Sequence, residues 1–190
     1  MTTSRRVFLT GLAGLTLTGL PAFAAQQYDG DFQIPEPLWA RMVRVQEDLP
    51  PGRIYVLTTD RRLILTLGEG RGIHYPVGVG RAGADFSGEA YVGRKAEWPS
   101  WTPTANMIRR EPDLYGPYAA GLAGGAPNNP MGARALYLYR NGRDTMYRIH
   151  GTSQPEYIGQ TASTGCIRMF NSHVAQLYDL VPVGTRVIAR

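Results

Sequence analysis

"ALYLYRNGRDTMYRIH", residues 135–150, alternates apolar and polar side chains on both sides of Asn141-Gly142. Period-two alternation marks a half-buried strand. Asn-Gly between two such runs provides the left-handed pair of a tight hairpin turn, so the stretch reads as a β-hairpin. On its second strand the alternation puts Met146, Arg148 and His150 on one face and Tyr147 and Ile149 on the other. His150 therefore stands at a strand end, where the chain turns at Gly151.

Strand-like runs recur outward from this hairpin. "RIYVLTT" and "RLILTL" flank a turn around Asp60, "GIHYPVGVGRAG" is a strand opening into a glycine-rich turn, and "GTRVIAR" closes the chain. Between them, "SHVAQLYDLV" carries Val174, Leu177, Tyr178 and Val181 at helical spacing, with Asn171 or Ser172 as N-cap and Pro182 as stop. "PEPLWARMVRVQEDLPP" is expected to be a further helix, since Leu38, Met42, Val45 and Leu49 share a face and Pro50-Pro51 ends it. "WPSWTPTANMIRREPD" reads as a structured loop with a helical turn. "GPYAAGLAGGAPNNPMGA" looks the most flexible, and is either a surface loop or one wall of a cleft. With 23 glycines and 14 prolines in 190 residues, the chain is expected to be loop-rich and mainly β.

The N-terminus reads as an address. "TSRRVFLTGLAGLTLTGLPAFAAQ" has a basic start, an uncharged apolar run and an Ala22-Phe23-Ala24 cleavage pattern. "SRRVFL" is similar to a twin-arginine export signal. Residues 1–24 are thus expected to be removed, leaving a mature chain from near Ala25, delivered to the periplasm or cell envelope, with no stable membrane insertion. Without Arg5 and Arg6 the net charge of +5 falls to +3. The pairs Arg61-Arg62 and Arg109-Arg110 are too short for a nucleic-acid footprint, so no nucleic-acid partner is expected.

Export makes Cys166 conspicuous, because it is the chain's one cysteine. Exported domains use cysteines in pairs, and an odd one signals a partner chain or a reactive thiol. Its bland reading is a small buried apolar residue. Its neighbours favour chemistry: Ser163, Thr164 and Gly165 precede it and Arg168 follows, forming a tight polar turn. Glycine allows close backbone approach, and backbone N–H groups beside a nucleophile can form an oxyanion hole. Arg168 is either a surface side chain or a bidentate clamp for a carboxylate. A thiol ionises at about pH 8.5, and a neighbouring imidazolium could lower that by about two units. Of three histidines, His74 reads as a satisfied mid-strand residue and His173 as a solvated one in a helix's first turn. His150 alone precedes a loop that returns to the cysteine. No histidine pair has ligand spacing and one cysteine is too few for a thiolate site, so no metal is expected.

The pattern "HGT…IG…STGCIRM.N…..LY..V..GT.V" resembles the L,D-transpeptidase catalytic domain, or YkuD domain, of bacterial cell-wall enzymes. The likeness is dense over residues 124–190 and looser from about residue 53. It implies a mainly β fold, a β-sandwich or half-barrel with a few short helices. It divides the chain into signal (1–24), leader and N-terminal helix (25–52) and catalytic domain (53–190). By the same resemblance, Cys166 is the nucleophile, His150 its base, and the Gly151 carbonyl orients the ring. Amides at Gly165 and Cys166 would hold the oxyanion, with Ser163, Thr164 and Arg168 contacting substrate. Thr164 departs from the family motif, which has histidine there. The implied partners are peptidoglycan stem peptides, donors of an acyl transfer without a cofactor that cross-links the wall or attaches protein to it. An L,D-carboxypeptidase of the same fold and a non-catalytic wall-binding module are the alternatives.

Overall fold

The computed structural model describes residues 28–80, 86–163 and 165–190. The expected signal over 1–24, the end of the expected glycine-rich turn at 81–83 and Thr164 lie outside these residues. The strands are β1 (Arg41–Arg44), β2 (Ile54–Leu57), β3 (Arg62–Gly68), β4 (Arg71–Pro76), β5 (Val79–Gly80), β6 (Gly88–Glu97), β7 (Arg134–Arg140), β8 (Arg143–His150), β9 (Thr161–Ser163), β10 (Ile167–Arg168) and β11 (Arg186–Ala189). The helices are α1 (Ala105–Arg110), α2 (Pro112–Tyr115) and α3 (Asn171–Leu180). The expected mainly β architecture with a few short helices is what forms. One sheet runs in the order β1-β4-β3-β2-β11-β6-β7-β8-β10 and does not close into a barrel, while β5 and β9 pair separately.

Period-two alternation builds the core. Ile54 and Val56 of β2, Leu63 and Leu65 of β3, and Leu136 and Leu138 of β7 all turn inward. The hairpin turn is as its residues require: Asn141 and Gly142 have φ of 51° and 75°, which glycine adopts without cost and asparagine at little. The alternation expected on β8 breaks at Met146, whose φ is 65° and whose side chain is exposed. The register slips there, with Tyr139 opposite Asp144 but Tyr137 opposite Arg148.

The expected helix over 35–51 does not form. A 3₁₀ turn at Glu36–Leu38 leads into β1, which pairs antiparallel with β4 through Met42↔Ile73 and Val43↔Gly72. A short proline-bounded segment is a marginal helix on its own. The open edge of β4 offers its backbone a full ladder, and tertiary pairing wins.

Helix α3 forms where its periodicity places it, but its cap is not local. Neither Asn171 nor Ser172 is the N-cap; Phe170 holds that position and offers no side-chain bond. Instead the Asp29 carboxylate, 142 residues away, accepts from the Asn171 N–H at 2.8 Å and more distantly from that of Ser172. A helix start exposes unsatisfied N–H groups and favours negative charge, and a distant carboxylate serves as well as a near one. Asp29→Ala should therefore lower stability by about 1–2 kcal/mol, a typical N-cap loss. Asp29→Asn, which keeps an acceptor, should lose less; urea titrations of both variants check this.

His173 is not solvated. It is 3% exposed, with its ring against Phe170 and Tyr75. His74 is not satisfied either, because its buried Nε2 has no hydrogen-bond partner.

Candidate active site

Strand register arranges the site. Leu136, Ile149 and Ile167 lie side by side across β7, β8 and β10, at 0%, 0% and 2% exposure in the core. Alternation forces their neighbours to the other face. One row there is Ala135, His150 and Arg168; the next is Arg94 of β6, Tyr137 and Arg148. Cys166 directly precedes β10 and so continues that second row beside Arg148, whose backbone N–H donates to the Cys166 sulfur. The connection of fifteen residues, 151–165, thus returns the cysteine to the strand carrying the histidine, two positions along.

His150 is buried, and its Nδ1 lies 2.7 Å from the Gly151 carbonyl oxygen. A carbonyl only accepts, so Nδ1 carries the proton and the neutral ring's Nε2 is left as the base. Burial chiefly, and then the Arg168 charge, push its pKa down to about 4, against the upward pull of the Gly151 and Pro130 carbonyls. Cys166 is half-buried, and desolvation raises its thiol against the lowering influence of Arg148 and Arg168. The expected imidazolium that would ionise the thiol is therefore not the resting state. At neutral pH the pair rests as thiol and neutral imidazole, because burial disfavours both charges.

Arg168 is half-buried, and burial lowers its pKa while the Cys166 and Tyr115 groups beside it raise it. Its backbone is fixed on both sides, by the register with His150 and by paired bonds to Gly78. Gly165 has φ of 125°, a conformation that L side chains strain to adopt. Ser163 ends β9, whose backbone pairs with Gly80; Thr164 lies outside the described residues.

Sequence reasoning missed several supports. Asn171 appeared only as a helix cap. Its Oδ1 accepts from the N–H groups of Ala133 and Thr152, both at 3.0 Å, and its Nδ2 donates to the Thr152 carbonyl. It so staples the turn after His150 to the strand entering β7. Gly132 and Gly151 crowd this amide, and a Cβ at either would collide with its oxygen. The long 116–133 segment is held in place, not loose. Trp101 bridges to Leu122, and buried Asn129 donates to the carbonyls of Pro99 and Ala123. Asp144 and Arg148 form a bidentate ion pair at 2.7 and 2.9 Å. In a regular strand residues four apart lie about 13 Å from each other, and only the bulge at Met146 brings these together.

Among the described residues, no group of three or more His, Cys, Asp or Glu side chains converges to hold a metal ion. No helix among them is long and apolar enough to cross a membrane.

The family model for the L,D-transpeptidase catalytic domain, YkuD, matches residues 51–188. The "Probable L,D-transpeptidase ErfK/SrfK" of Escherichia coli K12 is 43% identical over 115 residues, 60% of this chain and 35% of that protein. The chain thus spans between about a third and a half of the length of the curated relatives it matches. A Brucella melitensis crystal structure described as a "Probable carnitine operon oxidoreductase" is 41% identical, covers 85% of this chain and 96% of its own, and has a TM-score of 0.55. An Enterococcus faecium L,D-transpeptidase mutant is 18% identical with a TM-score of 0.53, covering 75% of this chain and 50% of its own. At that identity the likeness is one of fold.

Proposed function

We propose, from the premise that this chain belongs to the L,D-transpeptidase catalytic-domain family, that it is an exported cysteine acyltransferase of peptidoglycan stem peptides. The observation that carries the reading is the register of β8 and β10, which sets His150 beside Arg168 and Cys166 one row away. In this reading residues 53–190 are the catalytic domain, residues 25–52 a leader, and residues 1–24 a twin-arginine signal for delivery to the periplasm.

The chemistry is two-step acyl transfer without a cofactor. His150 Nε2 takes the thiol proton as Cys166 Sγ attacks the carbonyl carbon of the stem's third residue. Amides at Gly165 and Cys166 hold the resulting oxyanion, in a backbone turn that the φ of Gly165 supports. The C–N bond to the terminal D-alanine breaks, and His150 returns the proton to the leaving amine, leaving a thioester. An acceptor amine then attacks, gives up its proton to His150 and releases the thiol. The Gly151 carbonyl fixes the tautomer this needs. In this reading Arg168 holds a substrate carboxylate through its planar fork. By the family motif Ser163 and Thr164 contact substrate in this reading, with Thr164 bringing a neutral hydroxyl where the motif has an imidazole.

Water at about 55 M competes for the thioester, so transfer requires a positioned acceptor; effective molarities from such positioning reach about 10⁵ M or more. The braced 116–133 segment, whose Pro130 carbonyl reaches His150, is the wall that provides it. Incubating the protein with purified muropeptides and weighing the products by mass spectrometry is the test. Cross-linked dimers are expected as the main product. Tripeptide stems alone at high acceptor concentration would make it a carboxypeptidase, and no product would leave a wall-binding module.

A further inference from the structure

Arg148 has no part in the chemistry so far, yet it is the side chain in register with the nucleophile. The face that carries the site holds a row of four across adjacent strands: Arg94, Tyr137, Arg148 and, just before β10, Cys166. Three contacts fix the Arg148 guanidinium. It makes both bonds of the bidentate pair with Asp144, donates to the Tyr147 carbonyl at 2.9 Å, and lies 4.4 Å from the centre of the Tyr137 ring. Arg94 covers the same ring at 3.4 Å. The Arg148 side chain is 11% exposed. It is committed to a carboxylate of its own strand, which distinguishes it from Arg168.

The ion pair is neutral as a whole, but it is oriented. Arg148 stands beside Cys166 in the sheet, while Asp144 lies behind it across the bulge. In register, the cationic member of the pair is the one level with the cysteine. We propose that Arg148 is a positioning residue for the nucleophile, an internally clamped cation that favours negative charge on Cys166 Sγ as its proton leaves. The proposal rests on the reading of Cys166 as nucleophile. The step needs this charge because buried His150 is neutral until it has received the proton. In acylation the Sγ–H proton passes to His150 Nε2, the freed sulfur pair forms the S–C bond, and the carbonyl π pair moves onto oxygen. Arg148 acts at the first of these events, when sulfur carries the charge.

The charged and titratable groups facing the sulfur are Arg148, Asp144 and His150 on β8 and Arg168 on β10. Tyr115 of α2 stands behind Arg168, with Glu111 next to it. Among these, Arg148 and Asp144 act on the thiol in opposite senses, the first lowering its pKa and the second raising it.

The opposed signs give the test. With one cysteine in the chain, alkylation by iodoacetamide followed by intact mass reads Cys166 alone. The midpoint of the rate between pH 5 and pH 11 gives the thiol pKa without any stem peptide. Arg148→Ala should raise that midpoint by about one unit, making alkylation below it roughly tenfold slower, the scale of one nearby opposite charge. Arg148→Lys should recover at least half of the shift. Asp144→Asn should move the midpoint down. Arg94→Ala, in the same row but beyond Tyr137, should leave it within 0.3 of a unit, roughly the limit of such a titration.

Structural damage would move the Arg148 and Asp144 variants the same way, and that result overturns the proposal, as does an unmoved midpoint in Arg148→Ala. Should Arg148→Ala fail to fold, the directions seen in Asp144→Asn and Arg148→Lys decide it. Muropeptide transfer is assayed separately. Absent transfer with the opposed shifts intact overturns the proposed function and leaves the electrostatic assignment standing.

Discussion

Cys166→Ser is expected to reduce muropeptide cross-linking below detection while leaving the thermal melt unchanged. One atom differs, so the packing survives. The chemistry does not, because a hydroxyl is a far weaker acid than a thiol, and buried His150, whose pKa lies near 4, is too weak a base to activate it. His150→Ala should lower the rate by about 10²–10⁴-fold, the usual share of a general base. The same low pKa fixes the acid limb of kcat/KM. The base must be unprotonated, so activity should hold as pH falls from 7 and be lost only as pH passes through about 4. An exposed histidine would fail near 6.5. A Cys166→Ser enzyme within tenfold of wild type would reject the nucleophile. An acid limb near 6.5 would mean that His150 is not held neutral as its burial requires.

The second large effect is on stability. Lowering the pH from 7 to 5 is expected to remove about 2 kcal/mol of folding free energy through His173 alone. Burial first, and then the neighbouring His74, push its pKa down to about 3. Unfolded, it titrates near 6.5. A base depressed in the folded state stabilises the fold fully above its unfolded pKa, and that contribution drains away as pH falls toward the folded value. At pH 5 the unfolded side chain has been protonated across about 1.5 units, each about 1.36 kcal/mol, while the folded one has not. His173→Phe keeps a ring against Phe170 and Tyr75 and removes the titration. Urea denaturation at pH 7 and pH 5 should show a drop about 2 kcal/mol smaller in the variant than in wild type. Equal drops in the two proteins would mean that His173 is protonated in the fold. His74 and His150 are depressed in the same direction, so wild type should lose more than the His173 share.

The sequence by itself determined whatever rests on neighbours along the chain. Asn141-Gly142 set the hairpin because left-handed backbone is a local property. Val174, Leu177 and Val181 set α3 because their spacing matches its turn. Ser163 to Arg168, read with His150, marked the candidate site as a motif. Tertiary structure alone decided what depends on partners far away. Residues 41–44 became a strand because the edge of β4 was open to them, although their apolar spacing is helical. Asp29 became the cap of α3, and Asn171, freed from capping, ties Ala133 to Thr152. His173 became buried because Phe170 and Tyr75 close around it. Asp144 reached Arg148 only through a bulge that the period-two pattern does not predict, and Arg148 reached Cys166 only through the parallel pairing of β10 with β8. Periodicity assigns a side chain to a face. Its neighbours on that face, and the charge they bring, are set by which strands pair and in what register.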